Sequence, residues 1–199
     1  MSTNTALANV PAVLRDRVRG RVIGPDDADY DRARMIVVGG FDLHPGAIIR
    51  VADAADVAAA IAAARDLGLD IAVRSGGHSG AGHSSTEGGI VIDLRELTQL
   101  DVDVPGRTAW AGAGLTAIEV TSALVEHGLS VGFGDTGSVG IGGITTGGGV
   151  GYLVRKQGLT IDSLLAAEIV TADGEIRLVD DEHDPDLFWA IRGGGGNFG

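Results

Sequence analysis

Ile71-Ala72-Val73-Arg74-Ser75-Gly76-Gly77-His78-Ser79-Gly80 runs from a short apolar stretch straight into a turn rich in glycine. The first four residues read as a buried strand, and the glycines as the loop at its carboxyl end. Upstream, Ile48 to Val51 is another β-branched run. Between the two, Val57, Ala60, Ile61, Ala64 and Leu67 recur at helical spacing, with Asp53 placed as N-cap and Gly68 as the stop. Downstream, Ile90 to Leu94 is a third apolar run. Strand, helix, strand, loop and strand in this order predict a right-handed parallel unit over 48–94. Ligands of such sheets bind beyond the carboxyl ends of the strands, which makes Arg74 to Gly80 a candidate site. Adjacent glycines can turn successive amide hydrogens towards one point, and Arg74 would add positive charge, a combination suited to a phosphate or diphosphate. The plainer alternative is a glycine-rich surface turn.

The pattern changes after Pro105-Gly106. Arg107 to Ala111 alternates like a strand, and Thr116-Ala117-Ile118-Glu119 is a capping box that opens a helix ending at Gly128. Leu164 to Thr171 and Ile176 to Val179 read as strands joined through Ala172-Asp173-Gly174-Glu175, an antiparallel hairpin. Asp184-Pro185 opens a last short helix through Trp189 to Arg192, with proline where a missing amide hydrogen costs little. The four arginines at 15, 17, 19 and 21 suggest a solvated face or an entry lid.

Composition narrows the chemistry. Glycine supplies 33 of 199 residues, against an ordinary share of roughly 7%, and the surplus lies in three islands: six from Gly76 to Gly89, ten from Gly132 to Gly151 and five from Gly193 to Gly199. The middle island is too apolar for a flexible linker and suggests backbone packed closely on a flat ligand. It contains Gly132-x-Gly134-x-x-Gly137, yet a Rossmann site is disfavoured because the preceding strand is barely three residues and no helix follows Gly137. Fifteen basic against 27 acidic residues leave a net charge of −12, which argues against a nucleic-acid partner. With no cysteine there is no disulfide, thiolate metal site or cysteine nucleophile. The five histidines, His44, His78, His83, His127 and His183, lack the i, i+4 spacing of a helical zinc site, so no metal is expected. No stretch approaches the ~18 apolar residues of a membrane span. The start, Met1-Ser2-Thr3-Asn4-Thr5, lacks the features of a signal peptide, so no membrane association and a cytoplasmic location are expected.

Four segments in one order carry a family resemblance. They are Arg74 to His78 followed by Ile90 to Leu94; Val139 to Tyr152, containing Gly147-Gly148-Gly149-Val150-Gly151; Gly158-Leu159-Thr160-Ile161-Asp162-Ser163-Leu164; and Asp186 to Gly199. Over about 41–199 the chain resembles the FAD-linked oxidases of the vanillyl-alcohol-oxidase type, nearest the berberine-bridge-enzyme and 6-hydroxynicotine-oxidase branch. The resemblance implies an α+β fold: a two-lobed PCMH-type FAD-binding domain with the cofactor between the lobes. A small parallel β-α-β lobe (about 45–100) is followed by a mostly antiparallel lobe with helices (about 101–199), behind an N-terminal segment, 1–40.

The same resemblance assigns residues. His78 matches the histidine bonded to the flavin 8α-methyl carbon, a link that raises the flavin potential and prevents cofactor loss. Arg74 and the backbone of Ser75, Gly76, Gly77 and Ser79 match the diphosphate loop. Thr136, Gly137, Val139, Gly140, Gly142 and Gly143 match the lining of the flavin and ribityl chain, with Gly147 and Gly149 beneath it. Asp162, Leu164 and Ile169 match positions near the flavin or adenine. Where bicovalent members carry a cysteine this chain has Thr136, so at most one link, through His78, is expected. Members of the family also continue beyond the Asn197-Phe198-Gly199 ending. The substrate domain with its catalytic base is expected outside these 199 residues. The implied activity is an FAD-dependent oxidoreductase, in which flavin takes a hydride from an alcohol, sugar or amine C–H and passes electrons to oxygen. The alternative is a flavin-binding module without turnover.

Overall fold

The computed structural model describes residues 10–199. The start, Met1 to Thr5, lies outside them. The chain divides into two compact units, one reaching Glu96 and including Val170–Ile176, the other comprising Leu97–Ile169 and Arg177–Gly199.

The first unit holds α1 (Val10–Arg15), β1 (Arg21–Ile23), α2 (Tyr30–Arg34), β2 (Ala47–Arg50), α3 (Ala54–Leu67), β3 (Ile71–Arg74) and β4 (Ile90–Asp93). Its sheet runs β1-β2-β4-β3. β2 and β3 both pair parallel to β4, and β1 pairs antiparallel to β2. The parallel core therefore matches the periodicity, while β1 is a strand that three residues of sequence did not announce. Register aligns Ile23, Ile48, Val91 and Ala72 in one row across all four strands, and Tyr30 and Ala33 of α2 close over it as a core. Ile48, Ile49, Ile90, Val91 and Ile92 are fully buried, as expected of central strands covered on both faces, each worth roughly 1.5–3 kcal/mol. β3 departs from the expected buried strand. It is an edge strand in which Ala72 and Arg74 point inward while Ile71 and Val73 are exposed.

Helix α3 begins and ends where the sequence placed it. The Asp53 carboxylate accepts the Asp56 N–H at 3.0 Å, and Gly68 takes the left-handed conformation, φ +63°, that ends the helix. Buried Ala60, Ala63 and Ala64 let α3 approach β4 closely. At its first turn the Asp56 side chain accepts three backbone N–H groups, from Arg19 and Gly20 at 2.8 Å and Ala52 at 2.9 Å. This clamp joins the segment entering β1 to the exit of β2.

The second unit holds β5 (Leu100–Asp103), β6 (Thr108–Ala111), α4 (Ala117–Val125), α5 (Ile141–Thr146), α6 (Val154–Gln157), a 3-10 turn (Thr160–Ser163), all but the facing end residues of β7 (Ala166–Val170) and β8 (Ile176–Asp180), and α7 (Pro185–Gly194). β5 and β6 form an antiparallel pair, and β7 and β8 a second two-stranded sheet. The capping box is present: the Thr116 N–H donates to Glu119 at 2.6 Å. Two small cores result, Leu115, Val120, Leu124 and Ile141 under α4, and Ile169, Val179, Phe188 and Ile191 under α7. A helix does follow the Gly132-x-Gly134-x-x-Gly137 run, at Ile141, though it is only six residues long.

Burial alone would push the Asp56 carboxyl up, but its backbone N–H donors outweigh that and hold it below the ordinary carboxylate range. A depressed native pKa stabilises the fold fully above the unfolded value of ~3.9, and the contribution fades as pH falls through the native value. Asp56→Asn replaces one accepting oxygen by a donor facing N–H groups and is expected to cost about 2 kcal/mol at neutral pH. Thermal melts of wild type and variant should differ by roughly 4–8 °C at pH 7 and converge in acid. A pH-independent difference would show that the charge of Asp56 is immaterial.

Candidate flavin site

At the carboxyl ends of three parallel strands the register brings Arg50, Asp93 and Arg74 to one level. Asp93 and Arg74 are 3% and 5% exposed. Arg74 Nη2 donates to Asp93 Oδ2 at 2.9 Å and to the Ala33 carbonyl of α2 at 2.8 Å, while Arg50 Nε stands 3.9 Å from the same carboxylate. A buried charge needs such a partner. The positive charge of Arg74 is thus met from below by Asp93, and its Nη1 is buried without a hydrogen-bond partner among the described residues.

The loop that follows is shaped by glycine. Gly77 sits at φ +72° and Gly82 at φ +79°, a region that side chains rarely adopt. The Gly82 N–H donates to the Ser79 carbonyl at 3.1 Å and the His83 N–H to Ser79 Oγ at 3.2 Å, closing a compact turn beyond His78. Ser75, Gly76, His78 and Ser79 are partly exposed and Gly77 is buried. Ser84 and Ser85, further along, are buried, and Ser85 Oγ has no partner among the described residues. Residue type gave no reason to select them, since only the tertiary path buries them.

In the second unit the middle glycine island is clamped to the start of α4. The Ala117 and Ile118 N–H groups donate to the Val139 and Gly137 carbonyls at 2.9 Å, and the Ile141 N–H to the Leu115 carbonyl at 2.9 Å. These bonds use amides that a helix start leaves open. Thr136 is exposed and donates to Asp135 at 3.0 Å. Beside it lies an open cavity of about 230 Å³ lined by Ile118, Thr121, Phe133, Asp135, Thr136 and Tyr152.

The glycines of this island differ in what surrounds them. Gly149, at φ +75°, lies so close to Thr160 that any Cβ would strike its hydroxyl. Thr160 itself is buried and donates to the Gly132 carbonyl at 2.5 Å. A Cβ on Gly151 would meet the Phe133 carbonyl at 2.5 Å. These two close up the protein itself. Gly143, on helix α5, is exposed, and a Cβ there would meet nothing within 4 Å. Nothing in the fold requires glycine at this position, which leaves open backbone that a ligand can approach.

The remaining expected positions fall as follows. Gly140 is buried as the cap of α5, Val139 and Gly142 are partly buried, and Gly137 and Gly147 are exposed. The exposed Asp162 carboxylate accepts the Leu159 N–H at 2.7 Å. Leu164 packs against the α7 core, and the Ile169 side chain is part of it.

In the first unit, parallel strands that end in a glycine turn beside a buried guanidinium with an unpartnered nitrogen make a strand-end site suited to a phosphate-bearing group. Within that unit Arg74 Nη1 and Ser85 Oγ lack partners among the described residues, donors that fit a phosphate oxygen; within the second unit Gly143 leaves exposed backbone. Residues 45–180 match the family model for the FAD binding domain, and the chain belongs to that family. It is 40% identical over 182 residues to (R)-6-hydroxynicotine oxidase of Paenarthrobacter nicotinovorans, covering 92% of this chain and 40% of the relative. The crystal structure of 6-hydroxy-D-nicotine oxidase from Arthrobacter nicotinovorans superposes with a TM-score of 0.90 at 40% identity, over 92% of this chain and 40% of that one. Glucooligosaccharide oxidase of Acremonium strictum, described as carrying 6-S-cysteinyl, 8α-N1-histidyl FAD, gives 0.88 at 29% identity, over 94% and 40%. The chain thus spans about two fifths of the length of the relatives it matches. The α+β fold and the FAD cofactor stand as the resemblance implied.

The two classes of glycine separate by experiment. Gly143→Ala is expected to leave stability unchanged or raise it by up to about 1 kcal/mol, because glycine is costly in a helix, while weakening FAD binding at least about tenfold, or 1.4 kcal/mol. Gly149→Ala should destabilise by about 1–3 kcal/mol through its backbone conformation and the Thr160 contact. Melting curves together with flavin-fluorescence titration check both. Unaltered FAD affinity in Gly143→Ala would remove that residue from the site.

Proposed function

We propose that this chain is the flavin-holding portion of an FAD-dependent oxidoreductase of oxidase type, with His78 as a single covalent tether. The observation that carries this reading is the position of His78 in the glycine turn at the carboxyl end of β3, four residues after Arg74, which pairs with buried Asp93. Bound FAD would accept a hydride from a C–H bond of a small alcohol, sugar or amine and pass the electrons to oxygen, chemistry that belongs to the cofactor and not to the protein. The protein's share is to hold and orient it. Backbone amides of Ser75, Gly76, Gly77 and Ser79 would receive the diphosphate, with Arg74 Nη1 adding a donor. Thr136, Gly137, Val139, Gly140, Gly142 and Gly143 would lie along the ring and ribityl chain, with Gly147 and Gly149 beneath it.

Asp162 and Leu164 would stand near the flavin or adenine, and Ile169 would contribute backbone, since its side chain is committed to the α7 core. Thr136 has no nucleophile equivalent to a cysteinyl sulfur, and the chain has no cysteine elsewhere, so a second link is chemically excluded. The base that takes the substrate proton is assigned to polypeptide outside these 199 residues. Among the described residues no cluster of histidine and carboxylate is arranged to hold a metal, and no helix is long and apolar enough to cross a membrane. The cytoplasm is the compartment proposed, with no nucleic-acid partner.

Acid precipitation after loading with FAD tests the tether. Yellow colour and flavin fluorescence are expected in the wild-type pellet and in the supernatant of His78→Ala. Release from wild type would refute the tether, and absence of flavin from folded protein would refute the cofactor reading. Bleaching of bound flavin by alcohols, sugars or amines under anaerobic conditions supports the oxidoreductase reading. Bound flavin that none of them reduces favours a module that holds FAD without turnover.

A further inference from the structure

The segment between α2 and β2, Met35 to Leu43, has no regular secondary structure, yet it is fastened at both ends and in the middle. At its base the Arg34 guanidinium, only 16% exposed, bonds Asp31 at 2.9 Å, Asp42 at 2.5 Å and the Leu43 carbonyl at 3.3 Å. Tyr30 donates its hydroxyl to the Pro45 carbonyl at 2.7 Å. The two feet of the arch are thereby locked together, and its crest turns through Gly40 at φ +96°.

Two contacts join this arch to the loop that carries His78, and a third fastens the helix before it to β3. Arg74 grips the Ala33 carbonyl just before the arch begins. The Val37 N–H donates to the Gly77 carbonyl at 3.2 Å, immediately before His78. The Phe41 ring packs against Gly82, where a Cβ would come within 2.6 Å of Cε1. Gly77 also borders the arch, though less tightly, since a Cβ there would stand in ordinary contact with Val37 N at 3.7 Å and Ile36 Cα at 3.8 Å. The left-handed glycines on either side of His78, Gly77 and Gly82, are therefore the two that the arch touches. Phe41 and Val37 are 39% and 60% exposed and lie outside the core row of the sheet, so burial does not explain their placement.

We propose that Met35 to Leu43 is a strap that positions the His78 loop, with Phe41 and Val37 as positioning residues for flavin attachment. The inference rests on the tether reading of His78. A glycine-rich loop has many backbone conformations and a large entropy to lose. The strap removes that freedom before the cofactor arrives, so the imidazole is presented in one place and attachment is faster than from a mobile loop.

Backbone hydrogen exchange without flavin tests the strap alone, and acid-stable flavin formed over time after FAD is added tests its consequence. In Phe41→Ala, amides from Gly77 to Ser85 should exchange at least about tenfold faster while those of β2 and β4 are unchanged. Attachment should slow by a similar factor, and Phe41→Tyr, which keeps the ring, should restore both. Val37→Pro, lacking the donor N–H, should reproduce the effect. Unchanged loop exchange in Phe41→Ala overturns the proposal whatever the flavin does, and equal acceleration in β2 and β4 overturns it too, because the residue would then serve general stability. If wild type releases all its flavin in acid while the loop exchange still responds, the tether fails and the strap stands, its effect then read as weaker flavin binding.

Discussion

Asp93 is the residue on which the first unit is organised. It ends the central parallel strand, its register partners on the two sides are arginines, and all three lie at the edge from which the glycine loop carrying His78 departs. A buried carboxylate left alone would be costly, and so would the guanidinium of Arg74. Side chains alternate across a strand, so a slip of one residue in β3 would turn Arg74 to the exposed face now occupied by Val73 and leave Asp93 short of a partner. The ion pair thus fixes the register of an edge strand that has little else to fix it. Because Arg74 also holds the Ala33 carbonyl, the same interaction sets the position of α2 and of everything that hangs from it.

What the sequence made legible are the elements whose signals are local. Asp53 and Gly68 mark α3 because capping is a property of a few neighbouring residues, and the same holds for Thr116 with Glu119 at α4 and Pro185 at α7. β1 and β5 left no such mark. Arg21-Val22-Ile23 and Leu100-Asp101-Val102-Asp103 become strands only because β2 and β6 offer them partners. Ile71 to Arg74 reads as buried because it is mostly apolar, whereas its place at the sheet edge exposes Ile71 and Val73. Ile141-Gly142-Gly143-Ile144 has poor helical propensity, and α5 forms because Ile141 is tied to Leu115 and buried under α4.

The site divides in the same way. The loop from Arg74 to Ser79 was visible as chemistry: a strand end, glycines, a cation and an imidazole. The internal neutralisation of Arg74 was not, since Asp93 lies 19 residues away. Ser84, Ser85, Val37 and Phe41 lie in no local pattern that would single them out. Their relevance arises from proximity across some 40 residues of chain, which no local pattern records.

The division among the glycines bears on how such domains diverge. Gly149 and Gly151 answer to the protein's own packing, while Gly143 answers to nothing inside the fold. A descendant that lost its flavin but kept its shape would be free to replace Gly143 with a better helix former, yet would still be held to glycine at 149 and 151. On the proposed site, a glycine-rich signature of this kind outlives the cofactor in part, and the identity at position 143 carries more information about flavin than the length of the glycine run.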